Sequence, residues 1–333
     1  MDTGCLIFMS SVRFNMSNCK GITGHRSGWT FAVSALLPLH SKGGILLDDF
    51  IERSHSWDLE KNISQKIIPH QEPWVGFIHN PQNAPEWFDK YNSPQEVLNR
   101  DETRKSLENC KALICLSKYH ETWLRDYLSE YNIHIFSIKH PSEIPHKKWS
   151  FYRYLANRDK KVVQIGFWLR KLNAIRFLKT NREKVWLPGQ EYAKIIMDVE
   201  AKLTIGNWYT NPSDTYDQEH EVIISDHLSN SEYDDLLSEN IGFLELYDSS
   251  ANNAVIECIA RNTPLLVNKL PAVVEYLGED YPLYFNDLSE AANKLHSDRL
   301  ILSAHKYLCQ LDKGFLRKST FRNGVVRNLM GKK

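Results

Sequence analysis

The sequence predicts an α/β protein of two domains, each built on a parallel sheet. Three observations carry that expectation. Short apolar runs alternate with helix-period segments along almost the whole chain, the rhythm of repeated strand–helix–strand units. The 333 residues suffice for two domains of roughly 150 residues each. Between the two series lies His140-Pro141-Ser142-Glu143-Ile144-Pro145-His146, whose prolines and lack of periodicity mark a linker. A hydrophobic content of 42% with 11% aromatics supplies material for both cores and excludes a mainly disordered chain.

In the first series, strands are expected at Cys5–Met9, Gly44–Leu47, Trp74–His79, Ala112–Leu116 and His134–Ile138. Helical patterns lie between them at Thr30–Leu37, Pro94–Asn109 and Lys118–Glu130. The second series opens with Lys161–Gly166, a strand running into a turn. It continues with strands at Val185–Leu187, Val222–Ser225, Gly242–Tyr247, Pro264–Val267 and Pro282–Phe285. Its helices are Tyr192–Ala201, Ser231–Ser238, Asn252–Ala260 and Ala272–Leu277, and Ser229-Asn230-Ser231-Glu232 has the form of a capping box. Lys202–Glu221 is polar and poorly periodic and reads as a loop. Ligands of such sheets bind beyond the carboxyl ends of the strands, so motifs are sought there.

Charge balances, 41 Lys+Arg against 41 Asp+Glu, which argues against nucleic acid as a partner. The longest early apolar stretch, Phe31–Leu39, is broken by Ser34 and Pro38 and falls far short of the roughly 20 residues that cross a bilayer. No transmembrane segment is expected, which leaves room only for peripheral membrane contact. The start of the chain lacks the basic region of a secretory signal. The six cysteines form no Cys-x-x-Cys pair, and Cys5, Cys115 and Cys258 sit in apolar runs as buried thiols would. These features point to the cytoplasm.

The densest chemical signal is Phe243–Ala260. A strand leads through Asp248, Ser249, Ser250, Ala251, Asn252 and Asn253 into a helix that carries Glu257. Small side chains let a ligand approach the backbone, and the first amides of a helix are unpaired donors with partial positive charge. A diphosphate at that tip would place its ribose near Glu257, about 7–8 Å along the helix axis. Spacing alone does not separate this from a plain N-capped helix whose Glu257 is solvated or paired.

Tyr247–Val267, continuing through Asn268–Gly278, resembles the donor site of GT-B glycosyltransferases, most closely the retaining glycosyltransferase family 4 type. Glu257 matches the second of that family's two glutamates, and Arg261-Asn262-Thr263-Pro264 matches its Gly-Thr-Pro-like turn. Asn262 replaces the glycine, and Asn also adopts left-handed angles. The place of the first glutamate falls on Ser249, with Asp248 one residue earlier. The resemblance implies a GT-B fold: two Rossmann-like domains with parallel sheets facing a central cleft. Residues 1–145 would form the acceptor-side domain and 146–314 the nucleotide-sugar donor domain, with 315–333 packing back toward the first.

The resemblance further implies transfer of a sugar from a nucleoside-diphosphate sugar to a glycan or other hydroxyl acceptor, with retention. Domain closure would exclude water. In Ile165-Gly166-Phe167-Trp168-Leu169-Arg170-Lys171, Gly166 occupies the turn and Arg170 and Lys171 stand where cations neutralise the departing diphosphate. His79, ending Trp74–His79, is placed at the sugar or reacting centre. Pro81–Phe88 reads as a rigid loop lining the cleft. The Gly21–Trp29 stretch resembles the glycine-bearing first loop, with Gly24, His25 and Arg26 facing substrate and His25 the candidate base of an inverting reaction. It lacks a dinucleotide fingerprint or a Walker lysine. No Asp-x-Asp occurs, so neither a metal nor any other cofactor is expected. Asp48-Asp49 is placed on the acceptor side and Asp234-Asp235 on a solvated helix face. A catalytically silent binding module, favoured by the missing first glutamate, and a GT-B epimerase or phosphorylase are the alternatives.

Overall fold

The computed structural model describes residues 12–21, 27–189, 221–225 and 228–331. The expected strand Cys5–Met9, the helix Tyr192–Ala201 and nearly all of Lys202–Glu221 lie outside them. The described chain divides into two compact units. The first takes the residues up to Gln82, Asp89–Glu143 and the chain from Lys313; the second takes Asn83–Phe88 and Ile144–Asp312.

The first unit holds a five-stranded sheet in sequence order: β1 Phe14–Asn15, β2 Ile45–Asp48, β3 Trp74–Phe77, β4 Cys110–Cys115 and β5 His134–Ser137. Every pairing is parallel. All of β3 is buried, which is why its sequence reads as a continuous apolar run rather than an alternation. Trp74, Leu113, Ile114 and Leu124 anchor this core. The Lys318–Met330 helix packs on the Trp29–Leu36 helix within the same unit, and its Phe321 lies 6.0 Å from the Phe77 ring.

The single helix expected over Pro94–Asn109 is two, Pro94–Asn99 and Asp101–Leu107. Arg100 breaks it, extended at ψ 142°. Its guanidinium donates to the carbonyls of His55 and Tyr91 and stacks on the Tyr91 ring, 4.1 Å from the centroid. Those tertiary bonds outweigh one more helical turn.

The second unit holds six strands: β6 Val162–Ile165, β7 Lys184–Leu187, β8 Ile223–Ile224, β9 Ile241–Leu244, β10 Leu265–Asn268 and β11 Tyr284–Phe285. Their spatial order is β11-β10-β9-β6-β7-β8, again parallel throughout. This is the doubly wound Rossmann order. The chain leaves β6 in one direction and returns from β9 in the other, so the topological switch point lies between their carboxyl ends. The Asn253–Arg261 helix follows β9 and is buried from Ala254 to Arg261. Asn262 ends it in the left-handed region (φ 59°, ψ 28°), the conformation a C-terminal glycine would supply.

The Asn230–Glu239 helix opens with a complete capping box between Ser229 and Glu232. Ser229→Ala is expected to lower the stability of the second unit by about 1 kcal/mol. A lower urea midpoint at unchanged slope would register it; an unchanged midpoint would show that the box contributes nothing.

Candidate active site

The switch point is built from two chain segments laced together by backbone bonds. After β6 the chain turns at Gly166 (φ +77°) and passes back across β9. Lys171 N–H donates to Glu245 O (2.7 Å) and Tyr247 N–H to Leu169 O (2.9 Å). This brings Gly166, Arg170 and Lys171 to the run from Asp248 to Asn253.

Arg170 is the centre of the cluster. It is 9% exposed. Its Nε–H donates to Ile165 O (2.9 Å), one terminal nitrogen to Trp168 O (2.5 Å) and the other to Asn252 Oδ1 (3.3 Å). Two of the five guanidinium N–H donors are left over, and Arg170 makes no ion pair among the described residues. Burial pulls its pKa down to about 10, against the pull of Tyr233 and Glu257, so it stays a cation at neutral pH. Gly166 is required beneath it. A Cβ there would stand 2.9 Å from the guanidinium, on a backbone that L side chains rarely adopt.

Lys171 is instead paired with Glu245 at 2.7 Å. Sequence reasoning missed Glu245, because one acid in a buried strand end carries no spacing signal.

The helix tip differs from expectation. The Asn252 carboxamide oxygen accepts the N–H groups of Ala254 (3.1 Å) and Val255 (3.3 Å), so two of the first helical amides are already capped. The Ser249 amide donates to Asp248 Oδ1 at 2.8 Å. The amides of Ala251, Asn252 and Asn253 have no acceptor among the described residues, and these three residues are partly or fully exposed. Ser250 is buried. The free donors are therefore the amides just before and at the first helical residue, not those one turn in.

Glu257 is likewise no solvated carboxylate. It is 1% exposed, and its Oε2 accepts a short hydrogen bond from the Tyr233 hydroxyl. As a ribose ligand it would have to share or exchange that partner. Asp234, expected on a solvated face, pairs with the buried Arg261 at 2.6 Å, because the Asn230–Glu239 helix lays that face against Arg261. Asp248, placed at substrate from the sequence, is buried. Its Oδ2 accepts the Asn83 N–H at 2.9 Å. Phe88 meets Trp168 edge-on at 5.1 Å, so the Asn83–Phe88 loop is fastened to the second unit.

In the first unit, the carboxyl ends of β2 and β3 gather Asp48, Asp49, Glu52 and His79. Asp49 accepts from Gly21 N–H, Trp29 Nε1–H and Arg53, which pins both ends of the first loop. Gly24, His25 and Arg26 lie outside the described residues. The His79 ring is stacked on Phe50 (3.9 Å, 6°) and meets Trp29 edge-on at 4.3 Å. Its Nδ1 faces Glu52 Oε2 at 3.4 Å.

Asp48, His55 and His70 could hold a metal, since one ligand atom from each lies within 4.8 Å of the others. Hydrogen bonding favours another role. Asp48 accepts from Phe50 N–H, Ser54 Oγ and His70 Nε2. A metal on His70 Nε2 would displace that proton and leave a buried Nδ1–H, which has no acceptor here.

No family model matches the sequence, and no curated protein matches it significantly. The fold has solved counterparts. An α,α-trehalose-phosphate synthase (UDP-forming) from Burkholderia vietnamiensis shares 13% identity at TM-score 0.56, covering 90% of this chain and 75% of its own. The E. coli trehalose-6-phosphate enzyme bound with UDP-2-fluoro glucose shares 14% identity at TM-score 0.55, over 90% and 76%. The enzyme from Burkholderia xenovorans in complex with glucose-6-phosphate shares 12% identity at TM-score 0.56, over 91% and 77%. The chain has their GT-B fold, with two parallel α/β sheets. No described helix is long and apolar enough to cross a membrane.

Two predictions follow from the buried groups. Tyr233→Phe leaves the Glu257 carboxylate short of a donor and should cost about 1.5–3 kcal/mol of stability; an unchanged unfolding midpoint would show that the bond carries no weight. Burial pushes the His55 pKa from 6.5 down to about 4. Its fold therefore refuses a proton that the unfolded chain accepts, and stability falls as pH drops from 6.5 to 4 by on the order of 3 kcal/mol. Asp48, favoured as an anion by His70 against the cost of burial and held at about 2, extends the loss below pH 4. Denaturation against pH should show both windows in wild type; His120, also pushed down to about 4 by burial, shares the upper one, so His55→Phe should shrink that window by about half rather than remove it.

Proposed function

We propose that the chain is a glycosyltransferase that moves a sugar from a nucleoside-diphosphate-sugar donor to a hydroxyl acceptor. One observation carries the reading: among the described residues Arg170 is a buried guanidinium with no ion pair and two unspent donors, set at a Rossmann switch point beside three open amides. Burying a charge without a counter-ion is costly, and an anionic ligand at that spot would recover the cost. A departing diphosphate is such an anion, and fixed donors at a partly dry site stabilise it most where charge develops.

In this reading the second unit takes the donor and the first takes the acceptor. Lys171 exchanges Glu245 for a phosphate oxygen, the amides of Ala251, Asn252 and Asn253 bind the diphosphate, and Glu257 and Tyr233 meet the ribose. Ser249, Ser250 and Asp248 hold the loop in shape, and Gly166 makes room for Arg170. His79 contacts the sugar. Charge neutralisation by Arg170 and Lys171 serves where other transferases use a divalent metal. Gly24, His25 and Arg26 stay assigned to substrate.

The solved relatives of the fold support a nucleotide-sugar donor, since one is UDP-forming and one was bound with UDP-2-fluoro glucose. Another is a trehalose-6-phosphate synthase studied for glycosyltransfer with retention, which supports retention through an oxocarbenium-like transition state. The complex with glucose-6-phosphate makes a sugar phosphate one acceptor class to try. None of the five described cysteines forms a disulfide, in keeping with a cytoplasmic protein. A binding module without activity is the second reading. It is favoured by Ser249 standing where the family carries a glutamate, with Asp248 spent on two backbone amides.

Thermal shift with uridine, guanosine and adenosine diphosphates and their sugar conjugates tests the pocket. At least one should stabilise the protein, and Arg170→Ala should weaken its binding tenfold or more, about 1.4 kcal/mol. Binding indifferent to Arg170, or no binding at all, would sink the assignment. Release of diphosphate from the bound donor separates an enzyme from a silent module.

A further inference from the structure

Glu52 is a fully buried carboxylate of the first unit. It is 0% exposed and pairs with no lysine or arginine among the described residues. Both of its oxygens turn to the end of β3. Oε1 accepts the backbone N–H groups of His79 (2.6 Å) and Asn80 (2.7 Å), while Oε2 faces His79 Nδ1 at 3.4 Å. Burial would raise its pKa, but these hydrogen bonds, His79 foremost, hold the carboxyl below the usual range. It is an anion, and an anion can only accept. The histidine nitrogen opposite Oε2 must therefore carry the proton.

With Nδ1–H directed at Glu52, Nε2 of the neutral imidazole bears a lone pair. Nε2 is itself buried and has no hydrogen-bond partner among the described residues; the 13% of the His79 side chain that remains exposed lies on its other atoms. Phe50 stacks beneath the ring and Trp29 meets it edge-on, which fixes the plane of the imidazole. His120, fully buried, lies within electrostatic reach of Glu52, and burial pushes its pKa down to about 4, so it adds no competing cation.

We propose that Glu52 is a positioning residue that fixes His79 in the Nδ1–H tautomer, so that Nε2 accepts a hydrogen bond from a hydroxyl of the transferred sugar. The inference rests on the glycosyl-transfer reading for the sugar and on this geometry alone for the tautomer. Glu52 touches no substrate. It acts through the imidazole, much as the carboxylates behind many catalytic histidines do.

Glu52→Gln tests both halves. The carboxamide oxygen can keep the two amide bonds, but its NH₂ group would replace Oε2 and donate toward Nδ1. His79 should then move its proton to Nε2. In the full chain labelled with ¹⁵N-histidine, the imidazole shifts should report Nδ1–H in the wild type and Nε2–H in Glu52→Gln. With donor and acceptor in hand, kcat should fall 10–100-fold with the donor KM changed less than threefold, and Glu52→Asp should recover part of kcat. Wild-type His79 protonated at Nε2, or a tautomer unmoved in a folded Glu52→Gln protein, overturns the positioning role. A flipped tautomer with unchanged kcat overturns the acceptor role of Nε2. Absence of transfer by the wild type with every donor defeats the glycosyl-transfer reading, while the spectra still decide the tautomer.

Discussion

The second unit depends on how Arg170 is kept in its interior. Each of its three hydrogen bonds ends on an uncharged oxygen: two backbone carbonyls and one carboxamide. Neutral acceptors offset desolvation without cancelling charge. A carboxylate in their place would make a stable ion pair and leave little field for a ligand. The positive φ of Gly166 and the absence of its side chain follow from that demand, as does the antiparallel bridge between Arg170 and Leu246 that locks the turn to β9.

Much of the architecture was legible because parallel sheets covered on both faces leave an unmistakable trace. The run Trp74–Phe77 and the run Ile241–Leu244 are apolar at every position because no face meets water. The Ser229 box and the left-handed Asn262 were equally legible, since both are local devices whose residue types state their geometry. Arg100 was not. Its extended conformation comes from carbonyls of His55 and Tyr91, distant in sequence or fixed by another turn, and no window of the helix reveals them.

The candidate site was legible as a place and misread in its bonding. Strand, small-residue run and helix put Arg170 and Asn252 at the switch point, yet the pattern could not show where the Asn252 side chain would turn. A residue that opens a phosphate-binding helix is also a good N-cap, and here it caps Ala254 and Val255 while accepting from Arg170. Glu257 shows the same ambiguity. A glutamate five residues into a helix reads as exposed until the partner helix is known, and Tyr233 sits on that partner, 24 residues upstream.

Arg170 and Glu52 solve one problem with opposite signs. Each is an ionised side chain buried at the carboxyl end of a parallel sheet, and each takes most of its hydrogen bonds from uncharged groups, with no ion pair on Arg170 and no lysine or arginine on Glu52 among the described residues. Stability alone would not keep either, because a buried charge costs several kcal/mol that an apolar residue of similar size would not. Loop formation would not require them either, since backbone amides and carbonyls can be satisfied by water or by neutral side chains. What the arrangement preserves is an oriented field: around Arg170, two guanidinium N–H groups with no acceptor among the described residues; beside Glu52, an imidazole whose Nδ1 is turned to the carboxylate. A scaffold selected only to fold would have neutralised both.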